Sequence, residues 1–326
     1  MKMSAKTMKG CGWMITVEHL YKNYGQVRAV NDLSFNVRAG AVTGFLGPNG
    51  SGKSTTLRCL LGLDTPSSGT ALIDGHSYVK NQAPITKVGA LLDGKAFNPK
   101  VTARRHLEIV AATHAIPATQ IDRVLETTGI ASVAKKKVGG FSLGMSQRLG
   151  IATALLGDPE YLIFDEPVNG LDPDGVKWVR NLMRHLAGEG RTVLVSSHLM
   201  SEMSLTADDV VIIGRGRLID AGPIGKFTHS SSRTTVQVSG PETEAITQAL
   251  SEHGVEFTFE QPEQERPHGR FTIAGSTSEV IGHLLYQHNI ELHELSEIHS
   301  SLEDVFMELT DEAVDYRMND KNGGAQ

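Results

Sequence analysis

The sequence predicts two folded units: an α/β domain on a largely parallel sheet, then a smaller α+β domain of ferredoxin-like order. Three observations carry this. Short apolar runs alternate with helical stretches over residues 14–226, the pattern of βα repeats around a parallel sheet. A polar, Ser-rich stretch, FTHSSSR at 227–233, then breaks that pattern as a linker does. Beyond it the elements run strand, helix, strand, strand, helix, strand, the split βαβ order.

Taken in order, residues 1–13 (MKMSAKTMKGCGW) are basic and lack the apolar stretch of a secretory signal, so they read as a disordered extension. Residues 41–46 form an apolar strand, followed by a Gly-rich turn and a helix from about Lys53. The region 97–150 is rich in Ala, Arg, Lys, Leu and His, shows no strand, and reads as a helical insertion. A short apolar helix at 151–156 precedes a buried strand at 161–164. A helix at 173–186 and strands at 192–196 and 209–213 follow. In the accessory domain, 227–310, strands are expected at 234–238, 255–259, 270–274 and 290–295, with helices at 241–253 and 278–288. A last helix at 301–309 (SLEDVFMEL) has Ser300 or Ser301 as its cap and Asp304 in its first turn. Residues 311–326 are polar and read as a disordered tail.

Composition narrows the function class. The net charge of −6 argues against a dedicated nucleic-acid binder, which carries a basic excess. Two cysteines, Cys11 and Cys59, cannot form a disulfide framework, so a reducing compartment is expected. No apolar run approaches the ~20 residues that span a bilayer. Glycine is abundant, 34 of 326, against an average of about 7%. The excess asks where the backbone needs glycine.

One answer is Gly47-Pro48-Asn49-Gly50-Ser51-Gly52-Lys53-Ser54, which matches G-x-x-x-x-G-K-[ST] between a strand and a helix. Glycines let consecutive N–H groups turn inward toward phosphate oxygens, and the helix that follows adds its positive N-terminal end. Lys53 supplies a point charge to the β- and γ-phosphates. The Ser54 hydroxyl is a ligand for Mg²⁺, and Thr55 continues the turn. The motif specifies a nucleoside triphosphate. Downstream, the apolar run 161–164 ends in Asp165-Glu166-Pro167. Acids at the C-terminal end of a parallel strand face the ligand crevice. Asp165 is placed to hold Mg²⁺, and Glu166 to polarise an attacking water.

Phe141-Ser142-Leu143-Gly144-Met145, followed by Gln147-Arg148, lies 17 to 24 residues before Asp165. It is similar to the LSGGQ signature of ATP-binding cassette (ABC) ATPases. The resemblance extends over about 14–225. It takes in the phosphate loop, the signature, the Asp165-Glu166 segment, a D-loop-like Asn169-Gly-Leu-Asp172, and Ser196-Ser-His198, like the switch histidine. Tyr24 stands where the family has an adenine-stacking aromatic. The resemblance implies a P-loop NTPase of ABC ATPase fold with a helical subdomain, using ATP and Mg²⁺. It implies Glu166, His198 and Lys53 as catalytic residues. It also implies nucleotide contacts from Tyr24, residues 47–55, Ser142, Gly144 and Asp172. Two copies would close head to tail around ATP, the signature of one facing the phosphate loop of the other. The partner would be an integral membrane permease on a separate chain, at the cytoplasmic face of a bacterial membrane, with no nucleic acid involved. The form FSLGM with Gln147-Arg148 resembles cassettes of bacitracin-type and other drug exporters, so a drug, peptide or lipid-like cargo is expected.

Two departures stand out. Leu143 and Met145 replace the family's usual Gly and Gln. Gly89-Ala-Leu-Leu-Asp93 aligns with the strand that delivers a Q-loop glutamine, and the position is Asp93. Asp93 either ligates Mg²⁺ through water or caps the next turn. Two other readings compete. A soluble ABC ATPase outside transport is one, although such proteins carry coiled-coil insertions or two cassettes, neither visible here. A serine hydrolase is the other, since Gly140-Phe-Ser142-Leu-Gly144 fits G-x-S-x-G, with Asp165 or Asp172 and then His198 downstream. That elbow needs a buried strand immediately upstream, and KKKVGG at 135–140 is not one.

Overall fold

The computed structural model describes residues 13–80, 84–93, 97–228, 234–262 and 268–299. The helix expected at 301–309, most of the linker, residues 1–12 and residues 311–326 lie outside the described residues. Trp13, expected in the N-terminal extension, instead opens the first strand. The chain divides into two compact units between Gly222 and Pro223, four residues ahead of the boundary expected at 226/227.

The first unit opens with two long antiparallel strands, β1 (Trp13–Tyr24) and β2 (Val27–Arg38), joined at Gly25 with φ 56°. Then come β3 (Val42–Leu46), α1 (Lys53–Leu60), β4 (Ser68–Ile73), α2 (Pro84–Lys87), β5 (Val88–Leu91), α3 (Ala103–Thr113) and α4 (Ala118–Thr127). These are followed by α5 (Leu143–Leu155), β6 (Tyr161–Asp165), α6 (Pro173–Gly188), β7 (Thr192–Ser197), α7 (Met200–Ser204), β8 (Asp209–Gly214) and β9 (Arg217–Pro223).

Two sheets result. One is three-stranded in the order β2-β1-β4, with antiparallel pairing. The other is six-stranded in the order β5-β6-β7-β3-β8-β9, parallel from β5 through β8. The predicted parallel sheet is therefore present, but it shares the unit with an antiparallel sheet that strand–helix alternation did not indicate. The reason is visible in β1: Glu18, His19, Lys22 and Asn23 interrupt its apolar alternation, and register shifts fall at those positions. The parallel strands are legible because they are buried on both faces and read as continuous apolar runs. Every residue of β3 and β7 is buried. Phe45, Leu57, Tyr161, Ile163, Leu194 and Val211 join Ile15, Val17, Leu33 and Phe35 in one core that ties the two sheets around α1.

The insertion between β5 and β6 is helical as expected, with Thr102 accepting from the Arg105 N–H at the start of α3. The helix expected at 151–156 begins eight residues earlier, at Leu143, capped by Ser142. Gly144, Ser146 and Gln147 break the apolar pattern that would have announced it. Helix α5 packs closely on β5. A Cβ built on Gly89 lies 2.0 Å from the Ala154 carbonyl oxygen, a backbone atom that cannot swing aside. Gly89→Ala is expected to cost about 1–3 kcal/mol, the usual penalty for overpacking, read as a lower denaturation midpoint in urea.

The second unit runs α8 (Ile224–Thr228), β10 (Thr234–Ser239), α9 (Thr243–Glu252), β11 (Phe257–Glu260), β12 (Arg270–Ala274), α10 (Ser278–Gln287) and β13 (Glu294–His299). Its sheet is antiparallel in the order β11-β12-β10-β13, the ferredoxin-like arrangement. The core joins Val236, Val238, Phe271 and Ile273 of the sheet to Ile246, Leu250, Ile281 and Leu285 of the helices. The last strand lies four residues later than expected at 290–295. Ile290 and Leu292 pack as apolar residues against this core before the strand begins, so apolar character alone placed it too early.

Candidate nucleotide-binding and hydrolysis site

Parallel pairing sets the level of the site. Leu46 pairs with Ser197, and Asp165 pairs with Ser196. The ends of β3, β6 and β7 therefore lie side by side at the carboxyl edge of the sheet, where open α/β sheets bind ligands. Each end delivers one part: β3 the phosphate loop, β6 the two acids, β7 His198.

The loop needs its glycines. Gly50 and Gly52 sit at φ 81° and 103°, in the left-handed region, and Gly52 precedes the first residue of α1. A Cβ on Gly47 would stand 2.5 Å from the Ile213 carbonyl oxygen, and one on Gly52 2.5 Å from that of Ala29. The tip of the β8–β9 connection braces the loop from outside, with the Gly216 N–H donating to the Ser51 carbonyl at 2.8 Å. Pro48 accepts from the Ser51 N–H at 3.1 Å. Asn49 and Ser54 are exposed, and Thr55 is half-buried.

Lys53 is 5% exposed. Its Nζ donates to the Gly47 carbonyl at 2.6 Å and the Pro48 carbonyl at 3.3 Å, and lies 3.3 Å from Glu166 Oε1. The other oxygen of Glu166, Oε2, meets His198 Nδ1 at 2.9 Å. The structure thus brings Lys53, Glu166 and His198 into one cluster. Glu166 has φ 49°, an uncommon value for a residue with a side chain. Ser196 holds it there: its Oγ accepts from the Glu166 N–H at 3.0 Å, and its carbonyl accepts from the same group at 3.2 Å. The same hydroxyl donates to Asp165 Oδ1. Backbone strain persists where the surroundings over-determine it, and such positions cluster at reactive sites.

Tyr24 ends β1 and is 46% exposed. Its hydroxyl donates to Asp64 Oδ2 at 2.6 Å, which raises the phenol pKa, and the Lys22 ammonium sits 4.8 Å from the ring centroid. Arg58 pairs with Asp64 at 2.7 Å and, with Tyr24, holds that carboxyl below its usual range. A ring fastened at its hydroxyl and half open is suited to stacking.

The signature lies elsewhere within the chain. Ser142 is exposed, and its Oγ accepts from the Met145 N–H at 3.2 Å, leaving its own hydrogen to donate outward. A Cβ on Gly144 would stand 3.3 Å from Leu171 Cδ2, and one on Gly170 would overlap Leu143 Cδ2 at 2.0 Å. The signature therefore neighbours the D-loop-like turn, while the phosphate loop neighbours Ala29, Ile213, Gly216 and Glu166. Asp172 caps α6, accepting from the Gly175 N–H at 2.9 Å. Asp93 is an exposed residue just beyond β5. The serine-hydrolase reading fails on geometry. Ser142 follows a 3₁₀ turn, Val138–Gly140, rather than a strand, and His198 Nδ1 is engaged by Glu166.

The motifs include Ser196 without giving it a role, and carry no signal for Asp64 or Gly216. Ser196 stands two residues before His198, but only the β6–β7 register shows that it meets both Asp165 and Glu166. Among the described residues no group of three or more His, Cys, Asp or Glu is clustered to hold a metal by protein ligands alone. Two buried oxygens at the site, Ser51 Oγ and Glu166 Oε1, make no hydrogen bond. Beside the buried Lys53 ammonium the Ser51 hydroxyl can donate to an anion, and Glu166 Oε1 can accept from a water, so the groups present fit a polyanion and its solvent.

A phosphate loop at one strand end and paired acids two strands away define a P-loop nucleoside triphosphatase. Comparison with known proteins narrows the class. A family model described as ABC transporter matches residues 30–169, and one described as a domain of unknown function (DUF8746) matches 234–303. The bacitracin transport ATP-binding protein BcrA of Bacillus licheniformis is 45% identical over 223 residues, 68% of this chain and 72% of that protein. The uncharacterized ABC transporter ATP-binding protein YhcH of Bacillus subtilis (strain 168) is 36% identical over 303 residues, 92% of this chain and 96% of that one. That match runs through the second unit. Among solved structures, cbiO1 of Clostridium perfringens, part of the ABC transporter complex cbiONQ, aligns with TM-score 0.58 at 30% identity. The alignment covers 66% of this chain and 90% of cbiO1. The chain belongs to the ATP-binding subunits of ABC transporters. It is an ATPase that powers transport through a separate permease. Among the described residues no helix is long and apolar enough to cross a membrane.

Proposed function

We propose that two copies of this chain close around ATP at the cytoplasmic face of a membrane and drive export of a drug, peptide or lipid-like cargo. The observation that carries the chemistry is the Lys53–Glu166–His198 cluster at the sheet edge. Relatives named for bacitracin and lantibiotic transport support the class of cargo, and one named for Nod factor export supports the direction.

In this reading Lys53 exchanges its two carbonyl partners for the β- and γ-phosphates, where charge-assisted bonds are stronger. Tyr24 stacks on the adenine. Residues 47–55 wrap the phosphates with backbone N–H groups. The donor set offered to Mg²⁺, the Ser54 hydroxyl and the Asp165 carboxylate, is hard oxygen, as that ion requires. When bound, Mg²⁺ neutralises charge on the phosphates. Glu166 accepts a proton from the attacking water, oriented by the His198 contact. Ser142 and Gly144 of the second copy donate to the γ-phosphate, and Asp172 shapes the turn beside them. Those donors act only while ATP bridges the copies, so ATP favours the closed pair and hydrolysis releases it.

The test is ATP-dependent association of the Glu166→Gln chain in solution, together with recovery of the wild-type chain from detergent-solubilised membranes alongside a multi-span protein. A chain that stays monomeric with saturating ATP and leaves the membrane alone would exclude this reading. Asp93 gives a narrower test. If it serves the metal, Asp93→Asn shifts the Mg²⁺ concentration for half-maximal ATPase activity upward. An unchanged titration assigns Asp93 to the turn.

A further inference from the structure

Helices α5 and α6 of the first unit meet at two levels, once through the turn that leads into α6 and once directly. Helix α5 starts at the signature, capped by Ser142, and α6 starts at the D-loop-like turn, capped by Asp172. Near their starts, Leu143 lies over Gly170 and Gly144 lies against Leu171. Further along, the Arg148 guanidinium stacks on the Trp178 ring, 4.0 Å from its centroid. Arg148 is the sixth residue after the cap of α5, and Trp178 the sixth after the cap of α6. The two helices therefore leave the site in the same sense, and along α5 the second contact lies about 6–8 Å from the first at 1.5 Å of rise per residue.

Arg148 does more than stack. Its Nη1 donates to the Thr128 carbonyl at 2.9 Å, at the end of α4. That carbonyl is among the helix-end acceptors that lack an intrahelical partner. One side chain thus joins α4 and α5 of the helical insertion to α6, which is anchored in the parallel-sheet core. Both Arg148 and Trp178 are half-buried, so the pair is partly desolvated, and its guanidinium is planar and suited to lie flat on an indole.

We infer that Arg148 and Trp178 are positioning residues, a brace that sets the angle at which the signature is presented to ATP held by the second copy. The far end of α5 is already fixed by its packing on β5 at Gly89. The stack on Trp178 fixes the first turns of α5, which carry the signature, against α6 as well. The partners of Arg148 are the Thr128 carbonyl and the Trp178 ring, neither of them part of the phosphate loop. The inference rests on the two-copy reading above, and it assigns these residues to presentation of the signature rather than to nucleotide binding.

The experiment uses the full chain carrying Glu166→Gln, so that bound ATP is not consumed. Trp178→Ala should leave ATP affinity of the dilute, monomeric chain within about twofold, and weaken ATP-driven association by about tenfold, in keeping with a partly desolvated cation–π contact. Trp178→Phe keeps an aromatic face and should restore most of the association. Arg148→Lys keeps the charge but not the planar stack and should resemble Trp178→Ala. These two milder substitutions serve if Trp178→Ala does not fold. Association of Trp178→Ala equal to that of its parent would overturn the brace and leave the two-copy reading standing, as would equal loss of ATP affinity and association. A parent chain that shows no ATP-driven association at all would overturn the two-copy reading and the brace with it.

Discussion

Glu166→Gln should retain ATP binding and lose turnover by roughly 10²–10⁴-fold, the usual contribution of a positioned general base. The structure makes this substitution informative because it changes little else. Glutamine keeps the length of the side chain, and the Glu166 backbone is held by Ser196 rather than by its own carboxylate. What disappears is a charge 3.3 Å from Lys53 Nζ and a proton acceptor 2.9 Å from His198 Nδ1. Removing that charge frees Lys53 from a competitor for phosphate, so ATP affinity should hold or rise. The measurement is a pair of assays on one preparation: phosphate release at saturating ATP, and equilibrium binding of a fluorescent ATP analogue. Turnover within a few-fold of the unsubstituted chain would remove Glu166 as the base.

Lys53→Ala should have the opposite profile, with nucleotide affinity falling about 10- to 150-fold, the equivalent of losing a charged hydrogen bond worth roughly 1.5–3 kcal/mol. The lysine is buried and already pointed across the loop at the Gly47 and Pro48 carbonyls. It therefore loses little side-chain entropy on meeting phosphate. Its removal also leaves the half-buried Glu166 carboxylate beside the loop without the lysine charge, adding repulsion toward an incoming polyanion. Isothermal titration with ADP isolates the binding step from hydrolysis. Unchanged ADP affinity would contradict the role of the phosphate loop.

The two substitutions test the division that the sequence predicts, into a loop that binds and a strand end that reacts. Both were legible because their chemistry is local. A phosphate loop is eight consecutive residues whose spacing is its geometry. The strand ending in Asp165-Glu166 announces itself by an apolar run buried on both faces. The signature was legible by resemblance, but its helix was not. Gly144, Ser146 and Gln147 interrupt the periodicity, so only the structure shows α5 running from Leu143 to Leu155.

What stayed out of reach of the sequence shares one cause: it depends on residues brought together from distant parts of the chain. Ser196 is one serine in a strand until the register of β6 and β7 puts its hydroxyl against Asp165 and Glu166. Gly216 is a turn glycine until its N–H is found on the Ser51 carbonyl. The first antiparallel sheet is hidden because charged residues interrupt β1 where its register shifts.

The opening prediction of two units, one with a parallel sheet and one ferredoxin-like, followed from patterning that any chain must obey to bury apolar surface. Composition and motif order likewise determined the class of chemistry. The tertiary structure alone decided which groups meet: Lys53 with Glu166, Glu166 with His198, Arg148 with Trp178. Periodicity and spacing act along a few residues of chain, whereas an ion pair or a ring stack is chosen by strand order and helix packing.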